Sequence, residues 1–170
     1  PGRCSMPVIR RPVSWAETEA LTDELVGKIN TMNREYDVLL GIARGGMYVA
    51  LMLSQVLDHG MTLTCHLKRY PRGATASEAM PEIIAFPSAE LLSEKRVLLI
   101  DEVWEKGHSI IRARQEAERF EPKFVDTAVL HFKPGHNVYG QAQPTYCAEV
   151  TEDWIDYPWE QFAQRHAQLA

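Results

Sequence analysis

The run Val97-Leu98-Leu99-Ile100, leading without interruption into Asp101-Glu102, is the feature that most narrows the folds open to this chain. A continuous apolar strand of this length belongs where both faces of a sheet are covered, as in a parallel strand of an α/β protein. Residues 37–42 and 125–132 repeat the pattern. The first of these ends in Ala43-Arg44-Gly45-Gly46 and is followed by a helix-length segment carrying Val49, Leu51, Leu53, Val56 and Leu57. A helix over 109–120 is expected between the other two runs. Strands alternating with helices predict an α/β fold, a mostly parallel central sheet flanked by helices.

Ahead of this unit, Ser14-Trp15-Ala16-Glu17 has the S-x-x-E form of a capping box, and Leu21, Leu25 and Ile29 then recur at four-residue spacing. A helix is expected over 15–30. Further strands are expected at 62–67 and 82–86, separated by the polar, aperiodic stretch 68–77, which reads as a mobile loop. From Lys133 the chain turns to Gly, Pro and aromatic residues and ends in a short helix, a segment that cannot be one more βα unit. With 170 residues and no internal repeat or long linker, one domain is expected over 6–170, its core at about 14–132 and a small C-terminal hood at about 133–170. Residues 1–5, which precede Met6, are read as a tag or processing remnant.

Composition removes other classes. An apolar content of 45%, a net charge of only −5, and 10 Gly with 10 Pro do not fit a disordered or collagen-like chain. The apolar runs fall far short of the roughly 20 residues that span a bilayer as a helix, so no membrane partner is expected. The 18 Lys and Arg against 23 Asp and Glu, with no dense basic run, leave little footprint for nucleic acid, whereas a few local donors suffice for a small anion. Cys4, Cys65 and Cys147 are an odd, widely spaced set and the start lacks a signal-peptide core, so the expected location is the reducing cytoplasm. Cys65 and Cys147 are expected to be inert buried thiols.

In an open parallel sheet, ligands bind outside the carboxyl ends of the strands. Two loops fall there. Arg44-Gly45-Gly46 joins a cationic fork to residues that let backbone N–H groups approach a phosphate closely, or else is a plain turn with a solvated arginine. Asp101-Glu102 would suit the vicinal hydroxyls of a ribose or a Mg²⁺ bridging hydroxyls and phosphate, and the turn from Lys106 to Ser109 could receive a phosphate at a helix N-terminus. The alternative is a solvated acidic turn with Ser109 as N-cap.

The segment from Ile100 to Ser109 resembles the phosphoribosyl-diphosphate (PRPP) signature of the type I phosphoribosyltransferases, and Ala43-Arg44-Gly45-Gly46 resembles their pyrophosphate loop. Phe132-Lys133-Pro134 and Trp154-Ile155-Asp156-Tyr157-Pro158-Trp159-Glu160 are similar to the base-reading strand end and hood of the bacterial xanthine-guanine phosphoribosyltransferases. Four separated motifs in the family's own order, from about Asp37 to Glu160, carry the resemblance.

The resemblance implies that Asp101 and Glu102 hold the ribose of PRPP, with Glu102 also near Mg²⁺. It implies a 5′-phosphate site at Glu105, Lys106, Gly107, His108 and Ser109, a pyrophosphate site at Arg44 and Gly45, and a catalytic role for Glu105 beside the base and the reacting carbon. Lys133 would donate to a purine 6-oxo group, Trp154 would stack on the base, Ile155 would offer main-chain contacts, and Asp156 would read the 2-position. Transfer of phosphoribose from PRPP to hypoxanthine, guanine or xanthine, in a cytoplasmic homodimer or homotetramer, follows as an expectation. Another acceptor, or a PRPP- or nucleotide-binding regulatory protein of the same fold, is the alternative. Taken singly, Trp154 and Trp159 also fit packing roles, Lys133 a solvated strand end, and His131 a structural one. The chain departs from the family at Lys106, where Thr or Ser is usual, at the bulky Trp104, and at His108. The family's catalytic lid falls at residues 69–80, where nothing matches residue by residue.

Overall fold

A computed structural model describes residues 10–57, 61–68 and 80–167. Residues 1–5, read above as a remnant, and residues 69–79, nearly all of the segment where a lid was expected, lie outside the described residues.

The three apolar runs become β2 (Val38–Ala43), β5 (Arg96–Trp104) and β6 (Phe124–Phe132), side by side and parallel at the centre of a six-stranded sheet. β3 (Thr62–Lys68) extends the parallel order beyond β2 and β7 (Tyr146–Val150) beyond β6, while β4 (Glu82–Ala85) closes the β3 edge antiparallel. Because side chains alternate across a strand, Leu39, Leu98, Ile100 and Leu130 enter one core, while Val38, Leu40, Val97, Leu99 and Val129 enter the other. The first core is covered by α1 (Trp15–Thr31) and α2 (Gly45–Val56), the second by α4 (His108–Glu118). Each such aliphatic side chain contributes about 1.5–3 kcal/mol by leaving water, which is why the interiors of β2 and β5 are continuously apolar until their carboxyl ends; β6 departs from this near its amino end, with buried Asp126 and Thr127.

The capping box forms as expected. Glu17 N–H donates to Ser14 Oγ at 3.1 Å and Ser14 N–H to the Glu17 carboxylate at 3.3 Å, fixing the start of α1. At the amino ends of the central strands Arg96 donates to Asp37 through its backbone N–H and its guanidinium, which holds the Asp37 carboxyl well below the usual range. No helix among the described residues is long and apolar enough to cross a membrane.

Three local expectations change. β5 runs on through Trp104, because β6 keeps pairing with it as far as Trp104 opposite Phe132, so the acidic pair lies inside the strand and not in a turn after it. Gly45 and Gly46 are the first residues of α2, not a loop. The N-cap of α4 is Gly107, at φ +91°, so Ser109 sits one residue inside the helix. The boundary between core and hood also shifts. Residues 146–150, expected in the hood, join the main sheet as β7, while β1 (Arg10–Pro12) crosses to the hood and pairs with β8 (Trp154–Asp156). The strand β7 follows a 3₁₀ turn (Pro134–His136) and loop, with no crossover helix. The remaining helices are the single turn α3 (Ala89–Leu92) and the terminal α5 (Pro158–Ala167).

Candidate active site

The parallel order puts the carboxyl ends of β2, β5 and β6 on one edge of the sheet, where Arg44, Glu105 and Lys133 follow directly and Asp101 and Glu102 lie in the last residues of β5. Asp101 and Glu102 are 1% and 7% exposed, so a solvated acidic turn is excluded. Asp101 Oδ1 accepts from the Glu102 N–H at 3.0 Å. The two glycines of α2 lie against this pair. A Cβ on Gly45 would collide with the Glu102 carboxylate, and one on Gly46 would stand 2.5 Å from the Ile100 carbonyl oxygen and 2.9 Å from Asp101 Cα. The glycines therefore bring the positive end of a helix and the exposed Arg44 at its N-cap beside a buried acidic pair. The Ala43–Arg44 peptide is cis.

The turn after β5 is built on Trp104. Its bulk is accommodated because it is buried beneath Gly107, where a Cβ would lie 2.5 Å from Trp104 Nε1. The indole N–H donates to Asn137 Oδ1 at 3.2 Å, and the ring meets Phe132 edge-on. Gly107, at φ +91°, turns the chain into α4, where His108 Nδ1 lies 2.8 Å from the Tyr139 hydroxyl. Ser109 is half-buried and Lys106 exposed.

Lys133 directly follows β6 and is 4% exposed, which excludes a solvated strand-end role. Its Nζ lies 3.6 Å from Glu105 Oε1 and 5.5 Å from the centre of the Trp154 ring. Glu105, just after β5, and Trp154 of the hood thus flank Lys133, just after β6. Asp156 and Ile155 are not placed in the same way. The Asp156 carboxylate faces Arg10 at 3.5 Å, and the Ile155 side chain enters the core beneath β8, opposite Arg11 in register. Arg10 also lies 5.9 Å over the Trp154 ring. It was not legible as a site residue, since 146 positions separate it from Asp156 and only the β1–β8 pairing joins them.

Behind the hood, Tyr157 is buried and donates its hydroxyl proton to the Glu102 carbonyl at 2.9 Å. His131 Nδ1 lies 2.8 Å from the same hydroxyl oxygen, so the proton of this second bond belongs to His131. Burial pushes the His131 pKa down to about 4, which agrees with a neutral ring protonated on Nδ1. Its Nε2 faces Glu149 at 3.9 Å, and Arg11 binds both oxygens of Glu149 and holds that carboxyl below its usual range. Burial and the nearby Glu102 and Asp101 raise the Tyr157 phenol well above its ordinary value, keeping it a donor. Cys65 is buried with its thiol pushed up to about 12, and Cys147 is half-buried with a raised thiol, as fits inert cysteines.

Residues 14–162 match the phosphoribosyl transferase domain family. The chain belongs to that family. A xanthine-guanine phosphoribosyltransferase of Cereibacter sphaeroides is 26% identical over 157 residues, covering 89% of this chain and 87% of that protein. The purine phosphoribosyltransferase of Pyrococcus horikoshii is 28% identical at a TM-score of 0.72, covering 89% of this chain and 93% of that one. The xanthine-guanine-hypoxanthine phosphoribosyltransferase of Helicobacter pylori, 18% identical over 94% of this chain and 99% of its own, has the same fold at a TM-score of 0.74. The single α/β domain with its mostly parallel sheet is accordingly the type I phosphoribosyltransferase fold.

Proposed function

We propose that this phosphoribosyltransferase transfers the 5-phosphoribosyl group of PRPP to a ring nitrogen of a 6-oxopurine, giving a nucleoside 5′-monophosphate and pyrophosphate in purine salvage. The observation that carries this reading is the buried Lys133 ammonium between Glu105, at 3.6 Å, and the face of Trp154, at 5.5 Å. A lysine offers only donors and so selects a carbonyl over an amino group, while the indole supplies a flat face for a planar base. The names of the Cereibacter and Pyrococcus relatives support the same substrate class.

In the reaction the bond from C1′ to the pyrophosphate oxygen breaks, a bond from C1′ to the purine nitrogen forms, and the base loses its N–H proton. Asp101 and Glu102 orient the ribose through its hydroxyls, and the turn from Glu105 to Ser109 receives the 5′-phosphate at the N-terminus of α4. Arg44 and the first-turn N–H groups of α2 meet the departing pyrophosphate. Glu105, half-buried beside Lys133, is the group that accepts the purine proton or stabilises positive charge on the sugar.

The adjacent carboxylates of Asp101 and Glu102 are hard oxygen donors that fit Mg²⁺. No cluster of three or more His, Cys, Asp or Glu among the described residues forms a metal cage, so substrate oxygens would complete the coordination. When bound, the ion supplies charge neutralisation on the leaving pyrophosphate. A cytoplasmic location and a homodimeric or homotetrameric state belong to the same proposal. The test is competition among hypoxanthine, guanine, xanthine and adenine in one reaction with PRPP and Mg²⁺, with products separated by chromatography. The expected products are the monophosphates of 6-oxopurines, and AMP as the main product would overturn the assignment of Lys133.

A further inference from the structure

The second acidic residue of the ribose site has a backbone that the sheet does not fully hold. The last pair between β2 and β5 is Gly41 opposite Ile100, after which β2 leaves for α2. Beyond that point the Glu102 N–H turns to the side chain of its own neighbour, Asp101, and its carbonyl accepts from Tyr157 Oη. Tyr157 directly follows Trp154-Ile155-Asp156, so one hydroxyl joins the base-stacking strand to the residue expected to hold the sugar.

That hydroxyl is itself held from several elements. Tyr157 is 2% exposed and its ring stacks on Trp159 at 4.8 Å, nearly parallel. His131 of β6 donates from Nδ1 to the hydroxyl oxygen, and its ring is itself fully buried against the hood. Besides filling the core, the His131 ring aims Nδ1 at the hydroxyl that donates to the Glu102 carbonyl.

We infer that Tyr157, oriented by His131, is a positioning residue that couples the base hood to the PRPP site by fixing the backbone of Glu102. The inference rests on the function proposed above. Ordering of the hood by a purine would tighten the Tyr157–Glu102 bond, and PRPP binding would order the hood in return, since coupling between two sites is reciprocal.

The test measures PRPP affinity by calorimetry in Mg²⁺, with and without a saturating 6-oxopurine analogue that cannot react, together with the steady-state constants. Tyr157→Phe keeps the ring and its stack on Trp159 and removes only the hydroxyl. It should lose the gain in PRPP affinity that the analogue confers on the wild type and lower kcat/KM for PRPP about tenfold, with the KM for the base changing far less. His131→Leu should reproduce this effect, whereas His131→Asn, which keeps an N–H donor near the position of Nδ1, should restore most of it. A merely structural role would lower the melting temperature of both His131 variants without splitting these constants. Wild-type coupling retained in Tyr157→Phe overturns the inference alone. A wild type that binds no PRPP overturns the proposed function, and the inference with it.

Discussion

Gly45 and Glu102 touch so closely that no side chain larger than hydrogen fits at position 45 without displacing the carboxylate. The start of α2 and the acidic pair of β5, far apart in sequence, are therefore one packed unit. Gly45→Ala should turn the Glu102 carboxylate aside, costing little stability because only the end of a flexible side chain must move, and lower kcat/KM for PRPP at least tenfold. Thermal unfolding with steady-state kinetics checks this, and Gly27→Ala is the control. Nothing lies within 4 Å of a Cβ on Gly27, in the second half of α1, so that change should stabilise by about 0.5–1 kcal/mol and leave the kinetics unchanged.

Lys133→Met keeps most of the buried stem and removes the donor. The KM for hypoxanthine or guanine should rise about tenfold to a hundredfold, as for loss of a charged hydrogen bond, while the KM for PRPP moves little. Equal changes in both constants would mean that Lys133 acts on the sugar or on the fold instead of the base.

The turn into α4, the proposed 5′-phosphate site, depends on Gly107. With φ at +91° and Trp104 Nε1 only 2.5 Å from where a Cβ would stand, Gly107→Ala meets both a backbone penalty and a collision. A loss of about 1–3 kcal/mol in stability and a raised KM for PRPP are expected from unfolding and kinetic measurements.

His131 gives the stability a defined pH dependence. Its folded pKa, about 4, lies below the ordinary 6.5, so the unfolded chain binds the proton more readily. The contribution is present in full above pH 6.5, falls as pH drops toward 4, and is lost below that, by an amount of roughly 3 kcal/mol. Denaturant unfolding at a series of pH values should show this slope in the wild type and a shallower one in His131→Asn. Asp37 and Glu149, whose carboxyls are held low by Arg96 and Arg11, add losses at the acid end of the series in both proteins.

Much of this was legible from apolar runs and motif order, because buried parallel strands must be continuous and their carboxyl ends must carry the ligands. Asp101 and Glu102 were readable for that reason, whereas Lys133 and Trp154 were readable only through the resemblance of their motifs to the family's. The contribution of Arg10 was not, since its contacts with Trp154 and Asp156 arise from a pairing between the two ends of the chain. Tyr157 read as one aromatic among several, and His131 as a core residue, because their shared hydrogen bond exists only once β6 and the hood are packed. Trp104 looked too large for its place until Gly107 was seen to leave it room.

The most direct measurement is pyrophosphate release from PRPP and Mg²⁺, with hypoxanthine, guanine, xanthine or adenine supplied separately, alongside controls without base and with the metal chelated. Release that requires both a 6-oxopurine and Mg²⁺ is the predicted result. No release with any of the four bases, while PRPP still raises the melting temperature, would contradict it and point to another acceptor or to a regulatory role for the same site.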